Sequence, residues 1–508
     1  MARRRSLRFR LPVLVMVILG TAAITVADGN PGRQAWAWGH RHSHHPVGPR
    51  DVRPTPIHRN TRARLHHWNT VAIDSTGLDH TPVAPADHRV FGEQLGPGRA
   101  SRAMAIVHIA MFDAVNAIVG SHESYTDLPL SPGASMDAAI AQAAHDTLVA
   151  LYPSQAEHCD ELLAEDLQQI PNGYAKWAGI ALGRRAAAAI LRRRADDGSQ
   201  HAEPRVDVEF RTSRKPGKWR QDPLSEIPLA LGAYWGDVEP FVLHSARRFR
   251  VPPPPPLDSP EYAAAFDEVQ QLGGDGITTP TSRTPDQTYA GLYWAYDGTP
   301  ALCAPPRLYN QIAMTIADQM GTDVVDLVRL LALVNVSMAD AGIAIWESKY
   351  YYQFWRPVTG IRESDRRTGP TGRGDGNRAT QGDLTFTPLG APASNLHGPD
   401  FTPPFPAYPS GHAGFGGALF QTLRNFYGTD DIPFTFVSDE LNGVTRDHEG
   451  NLRPLLPRAF STLSQAEEEN GQSRIYLGIH WSFDKTTGID QGRRVADAVF
   501  RHAFTPRR

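Results

Sequence analysis

The sequence predicts a mainly α-helical fold whose helices pack as bundles. Three observations predict it: apolar residues recur at three-to-four spacing behind capping residues, alternating strand patterns are few and short, and there is no internal repeat that would signal a solenoid. A chain of 508 residues, 41% of them hydrophobic, can bury a large core without staples. With 21% charged and 9% aromatic residues it is neither a disordered scaffold, a collagen nor a transporter of many spans.

Residues 1–27 read as an export signal. A basic stretch ending at Arg10 precedes the apolar run Leu11–Val26, and Thr25-Val26-Ala27 offers a small-residue cleavage pattern. Arg4-Arg5 before Ser6-Leu7 resembles a twin-arginine signal, an uncleaved anchor being the alternative. A secreted, extracytoplasmic protein is therefore expected. The leader holds five arginines and no acid, so the formal charge of -3 becomes -8 on the remainder, which disfavours nucleic acid as a partner.

Residues 28–64 form a low-order segment rich in Pro, Gly and His. Its His40, His42, His44 and His45 suit a solvated linker better than a metal tract. An N-terminal helical region follows over 65–257. Ser101–Val119 places Met104, Val107, Met111, Val115 and Ile118 on one face and is closed by Gly120. Ser135 opens a helix to Leu151. The run Ser154-Gln155-Ala156-Glu157 reads as a capping box for the helix carrying Leu162, Leu163 and Leu167, and an Ala-rich helix spans Tyr174–Arg194.

Five prolines, Pro252–Pro256, make a stiff connector and a soft boundary, so a C-terminal helical region is expected over 258–508. Ser259-Pro260 starts a helix, and Asn310–Gln319 and Val324–Tyr352 continue the pattern. Arg362–Asp383 and Asn395–Pro409 read as loops. Val324–Trp346 is the longest apolar stretch after the leader, but Asp326, Arg329 and Asp340 interrupt it, so no membrane span is expected. Cys159 and Cys303 fit one bridge or two buried thiols equally well.

The chemistry concentrates in three C-terminal blocks. In the first, Lys349 and Arg356 are seven apart, about two helical turns, with Pro357 ending the helix; alone this also fits a solvated basic helix end. In the second, Pro409-Ser410-Gly411-His412 enters a helix, leaving free backbone N–H groups at its positive end, where Gly411 lets an anion approach; a plain Ser cap with a packed His412 is the alternative. In the third, Ser473-Arg474 precedes His480 and Asp484. Asp484 is four residues on from His480 and can fix its tautomer, whereas the Arg474 to His480 spacing of six requires a break near Gly478. Together, three cations, a helix N-terminus and two imidazoles form a site for a tetrahedral oxyanion.

These blocks, Lys-x6-Arg-Pro, Pro-Ser-Gly-His and Ser-Arg-x5-His-x3-Asp, resemble the signature shared by vanadium-dependent haloperoxidases and the type 2 phosphatidic acid phosphatase (PAP2) superfamily. Trp68-Asn69, the Ser101–Ile118 helix, the proline run and Trp294-Ala295-Tyr296-Asp297-Gly298 look like the haloperoxidases. The chloroperoxidase branch is favoured by Trp346, three before Lys349, by Phe405, five before Ser410, and by the 60-residue spacer between His412 and Ser473.

The resemblance implies two four-helix-bundle-like halves with the oxyanion site in the C-terminal bundle. It implies one vanadate per chain, its oxygens held by Lys349, Arg356, Ser410, Gly411 and Arg474, with His480 as apical metal ligand. His412 would then deprotonate hydrogen peroxide, and Lys349 would polarise it for attack by halide. Trp346, Phe405 and His412 would form the halide pocket, with Asp297 and Asp484 supporting an arginine and His480. The implied activity is an oxidoreductase, a vanadate-dependent peroxidase making hypohalous acid, with an organic halogen acceptor as an optional partner. Plain core packing is the alternative for Trp346 and Phe405. A phosphatase acting through a phosphohistidine, or a non-catalytic oxyanion-binding protein, would use the same signature.

Overall fold

A computed structural model describes residues 61–507. The export-signal reading, the histidine tract and most of the low-order segment lie outside the described residues. Helix α1 (Thr61–Asp79) opens just before the expected end of that segment and buries Arg64.

Next come α2 (Gly96–Val119), α3 (Met136–Leu151), α4 (Ala156–Gln168) and α5 (Tyr174–Arg193). Helix α2 starts earlier than its apolar face suggests, with Pro in its first turn, and Gly120 closes it in the left-handed conformation, φ 76°. Ser135 caps α3 by accepting the Ala138 N–H. The capping box expected at Ser154 is not formed. A 3-10 turn, Pro153–Gln155, precedes α4, and the Ser154 hydroxyl donates instead to Glu93 at 2.7 Å, a tertiary acceptor outcompeting the local one.

Helices α1, α2, α3 and α5 pack against one another. His108 of α2 is fully buried and pairs with Asn69 of α1 at 2.9 Å. Trp68 donates to Asp166 of α4 at 2.8 Å.

The second half adds α6 (Pro260–Leu272), α7 (Pro285–Tyr293), α8 (Pro305–Gln319), α9 (Val324–Tyr352), α10 (Pro357–Arg362), α11 (Gly411–Tyr427), α12 (Leu463–Tyr476) and α13 (Ser482–His502). Ser259 caps α6 as expected, and α9 spans the residues its pattern marks. Helix α7 was not anticipated, although Thr284 and Gln287 make a complete capping box there. Among the described residues the only sheet is a small antiparallel pair, β1 (Phe434–Phe436) and β2 (Arg458–Phe460), with Phe434 opposite Phe460. The fold is mainly α, as the sequence predicts.

Helix α9 packs on α2 along one side and on α11 and α13 along another, so one hydrophobic cluster runs from Leu65 to Phe504. By length and composition α2 and α9 could each cross a membrane, which corrects the reading that charges disqualify Val324–Trp346. Their apolar windows are 89% and 94% buried inside the protein, where their apolar surface forms core. The interrupting Asp340 is itself buried and accepts the N–H groups of Phe241, Val242 and Leu243 at 2.6, 2.9 and 3.0 Å. Both cysteines are buried free thiols, so of the two readings left open the unbridged one holds.

Candidate active site

Helix α12 ends at Tyr476 and α13 begins at Ser482, so the chain breaks at Gly478 as the spacing requires. Gly478 has φ 72°, and a β-carbon there would lie 2.4 Å from the Gly273 carbonyl, which excludes larger residues. The break places buried His480 in the bend, with Arg474 in the last turn of α12 and Asp484 in the first turn of α13.

His480 Nδ1 lies 2.8 Å from Asp484 Oδ2, which also accepts the Trp481 N–H at 3.0 Å. An ionised carboxylate only accepts, so the ring proton is assigned to Nδ1. Nε2 accordingly holds a lone pair, toward which Arg356 Nη1 donates at 2.9 Å. Burial first, then the charges of Arg356, Lys349 and Arg474, hold His480 well below its ordinary pKa, so the ring is neutral. Burial pushes the Asp484 carboxyl up to about 7, against the Trp481 N–H and the Lys349 and Arg356 charges.

The second block enters α11 as expected. Ser410 accepts the Ala413 N–H at 3.4 Å, and its own N–H donates to the Asp484 carbonyl at 3.0 Å, tying the second block to the third. Gly411 and His412 are the first two helical residues, whose N–H groups have no acceptor within the helix. A β-carbon on Gly411 would meet the Trp346 indole at 3.3 Å, so the first turn lies against that ring.

His412 Nε2 lies 2.5 Å from the Ala295 carbonyl. A carbonyl only accepts, so Nε2 is assigned the proton and Nδ1 keeps the lone pair. Burial, then the Arg474 charge, holds this ring neutral too. Its backbone carbonyl accepts from Tyr309 Oη at 2.9 Å and Asn470 Nδ2 at 3.0 Å.

The first block meets the others by a different route from the one its spacing suggests. Helix α9 stops at Tyr352, closed by Gln353 in the left-handed region at φ 51°. Arg356 lies beyond it as the residue capping α10, and Pro357 begins that helix rather than ending the first. A chain reversal, not a shared helical face, brings Lys349 and Arg356 together.

Lys349 is fully buried and donates to the Pro406 and Ala407 carbonyls at 2.8 and 2.9 Å. Burial, then the Arg356 charge, brings its ammonium well below the usual pKa. Arg356 donates to the Phe405 and Ile479 carbonyls at 2.9 and 2.8 Å, and Arg474 spans both oxygens of Asp297 at 2.7 and 2.9 Å. Among the described residues, three guanidinium nitrogens of this site remain buried without a protein acceptor: Arg356 Nη2, Arg474 Nε and Arg474 Nη1. Unpaired buried donors are costly, and three on two arginines fit a ligand with several acceptor oxygens.

Trp346 and Phe405 sit with ring centroids 5.0 Å apart, and Lys349 Nζ is 5.1 Å from the Phe405 centroid and 5.7 Å from that of Trp346. The indole N–H is donated to the Leu231 carbonyl at 3.1 Å, so Trp346 offers its ring rather than its donor. Sequence reasoning missed the backbone carbonyls of Ala295, Pro406, Ala407, Phe405 and Ile479, which aim three of the charged or imidazole groups: His412, Lys349 and Arg356. A carbonyl carries no side-chain signal to find it by. Tyr309 and Asn470 were also missed.

The sequence profile described as the VCPO second helical-bundle domain matches residues 329–507. The vanadium chloroperoxidase of Curvularia inaequalis is 32% identical over 506 residues, covering 83% of this chain and 79% of the relative. Among solved structures, the first bacterial vanadium-dependent iodoperoxidase matches with a TM-score of 0.66 at 23% identity, over 86% of this chain and 97% of its own. The apo form of a bacterial vanadium-dependent chloroperoxidase matches with a TM-score of 0.60 at 17% identity, over 82% and 96%. The structures share the fold, and the identity to the Curvularia protein extends over most of both chains: this chain belongs to the vanadium chloroperoxidase family.

Proposed function

We propose that this protein is a vanadium-dependent haloperoxidase, oxidising halide with hydrogen peroxide to hypohalous acid. The observation that carries the reading is the set of three buried guanidinium nitrogens on Arg356 and Arg474 that lack a partner among the described residues, with Arg356 bonded to the neutral His480 ring. Family membership supports the choice of vanadate over phosphate.

Arg356, Arg474, Lys349, Ser410 and Gly411 are the groups that would hold the vanadate oxygens, and His480 Nε2 would be the donor to the metal. Vanadate, when bound, supplies a Lewis-acid centre that activates peroxide while keeping its oxidation state. His412, neutral with its lone pair on Nδ1, is suited to take a proton from hydrogen peroxide. Lys349, held over two aromatic rings, would stabilise negative charge developing on the oxygen that leaves. The Trp346 and Phe405 rings make a poorly hydrated wall on which a weakly hydrated halide costs little to desolvate. The arginine-rich leader supports an extracytoplasmic place of action, which N-terminal sequencing of exported protein would test.

The test is oxidation of a phenol-type halogen acceptor with hydrogen peroxide and bromide or chloride, before and after orthovanadate is added, alongside hydrolysis of a phosphate ester. Halide-dependent turnover that appears with vanadate is expected. Ester hydrolysis that vanadate abolishes, without halide oxidation, would replace this reading with a phosphohistidine phosphatase. Tight phosphate binding with neither activity would leave an oxyanion-binding protein.

A further inference from the structure

We propose that Glu440 is a positioning residue of this site, holding the turn over residues 295–297 in the geometry that presents the Ala295 carbonyl to His412 and the Asp297 carboxylate to Arg474. Three consecutive residues make this turn the hinge of the site. Ala295 fixes the proton on one histidine, Asp297 aims one arginine, and Tyr296 between them has φ 44°, a left-handed conformation that a tyrosine rarely adopts. Such a conformation persists only where neighbours hold it.

They hold it at both ends of Tyr296. Its backbone N–H donates to Glu440 Oε1 at 3.1 Å, and its hydroxyl accepts the N–H of Asp439 at 2.6 Å while donating to Gln311 at 3.1 Å. Glu440 is fully buried, and both of its oxygens are engaged. Oε2 takes the Ser394 hydroxyl at 2.6 Å and pairs with Arg453 Nη1, which also donates to Ser394 at 2.7 Å. The carboxylate thus divides its work: one oxygen anchors it to Ser394 and Arg453, and the other holds the turn. Glu440 lies in a short 3-10 turn, Asp439–Leu441, far in sequence from residues 295–297, which is why no motif points to it.

The kinetic consequence rests on the haloperoxidase reading, whereas the tautomer of His412 does not. Two double variants separate the acceptor from the ion pair: Glu440→Gln with Arg453→Met, and Glu440→Leu with Arg453→Met. Both remove the buried pair, an exchange that apolar replacement often tolerates, but only the first leaves an acceptor for the Tyr296 N–H. Two-bond 1H–15N spectra of vanadate-free protein labelled in histidine report which ring nitrogen of His412 carries the proton, and melting temperatures verify folding.

The glutamine variant is expected to keep the Nε2 proton and a kcat within about threefold of the parent, while the leucine variant mixes the tautomers and loses about tenfold or more in kcat. Equal tautomer populations and equal kcat in the two variants would overturn the proposal. If the tautomers separate as expected but no form oxidises halide, the positioning role stands and the haloperoxidase reading falls.

Discussion

Arg474 Nη2 lies 2.7 and 2.9 Å from the two oxygens of Asp297, while its Nε and Nη1 have no acceptor among the described residues. The pair is buried on both sides, at 1% and 4% side-chain exposure, so Asp297 cannot be traded for water without cost. Burial raises the Asp297 carboxyl above its ordinary range and the Arg474 charge opposes it. The carboxylate therefore acts as an aiming device: it takes one edge of the guanidinium and leaves the other for a ligand.

Removing the aim should loosen the ligand. Asp297→Asn is expected to weaken vanadate about tenfold or more, because Arg474 loses the charged acceptor that orients its guanidinium. Titrating the apo protein with orthovanadate against peroxidase rate, and with phosphate against melting temperature, reads this twice. An unchanged affinity in both titrations would contradict the aiming role.

His480 Nε2 lies 2.9 Å from Arg356, and its Nδ1 is tied to Asp484 at 2.8 Å. His480→Ala should abolish halide oxidation yet leave phosphate binding within about tenfold of the parent, because the guanidinium and backbone donors remain. Full activity in this variant would sink the assignment of His480 as the metal donor.

What the sequence made legible follows from which groups carry side-chain signals. The three blocks announce themselves because cations, imidazoles and a Gly-opened helix are chemically conspicuous, and all three meet in the structure. The span of α9 was legible from its apolar pattern, and the start of α11 from Ser410 ahead of Gly411. The route from Lys349 to Arg356 was not, because a left-handed Gln353 carries no glycine to mark the turn. The carbonyl partners and Glu440 were illegible for a deeper reason: they act through contacts between segments far apart in sequence, which only the folded chain brings together.

Gly232 has φ 74°, and a β-carbon there would fall 2.3 Å from the Trp346 indole nitrogen. Alanine at this position must displace Trp346 and break its bond to the neighbouring Leu231 carbonyl. Under the halide role proposed for Trp346, Gly232→Ala should raise the KM for halide about tenfold while the KM for peroxide holds. Equal rises in both would show that the ring serves the whole site rather than the halide.

His108 supplies a pH dependence that is independent of the oxyanion site. Its Nδ1 lies 2.8 Å from the Met104 carbonyl and Nε2 2.9 Å from the Asn69 side chain, and burial lowers its pKa from 6.5 to about 4. Above pH 6.5 the ring is neutral in both folded and unfolded chains and contributes nothing to the pH dependence. As pH falls from 6.5 toward 4 the unfolded chain takes a proton that the folded one refuses, so stability declines with falling pH. The accumulated loss is about 3 kcal/mol once pH lies below both values. His108→Gln, which keeps an amide between Asn69 and Met104, removes that titration. Denaturant melts of the two proteins at matched pH should diverge below pH 6.5, the parent losing stability faster by up to about 1.4 kcal/mol per pH unit. Parallel pH profiles would show that His108 titrates in the folded chain as it does in the unfolded one, and that its burial between α1 and α2 carries no electrostatic cost.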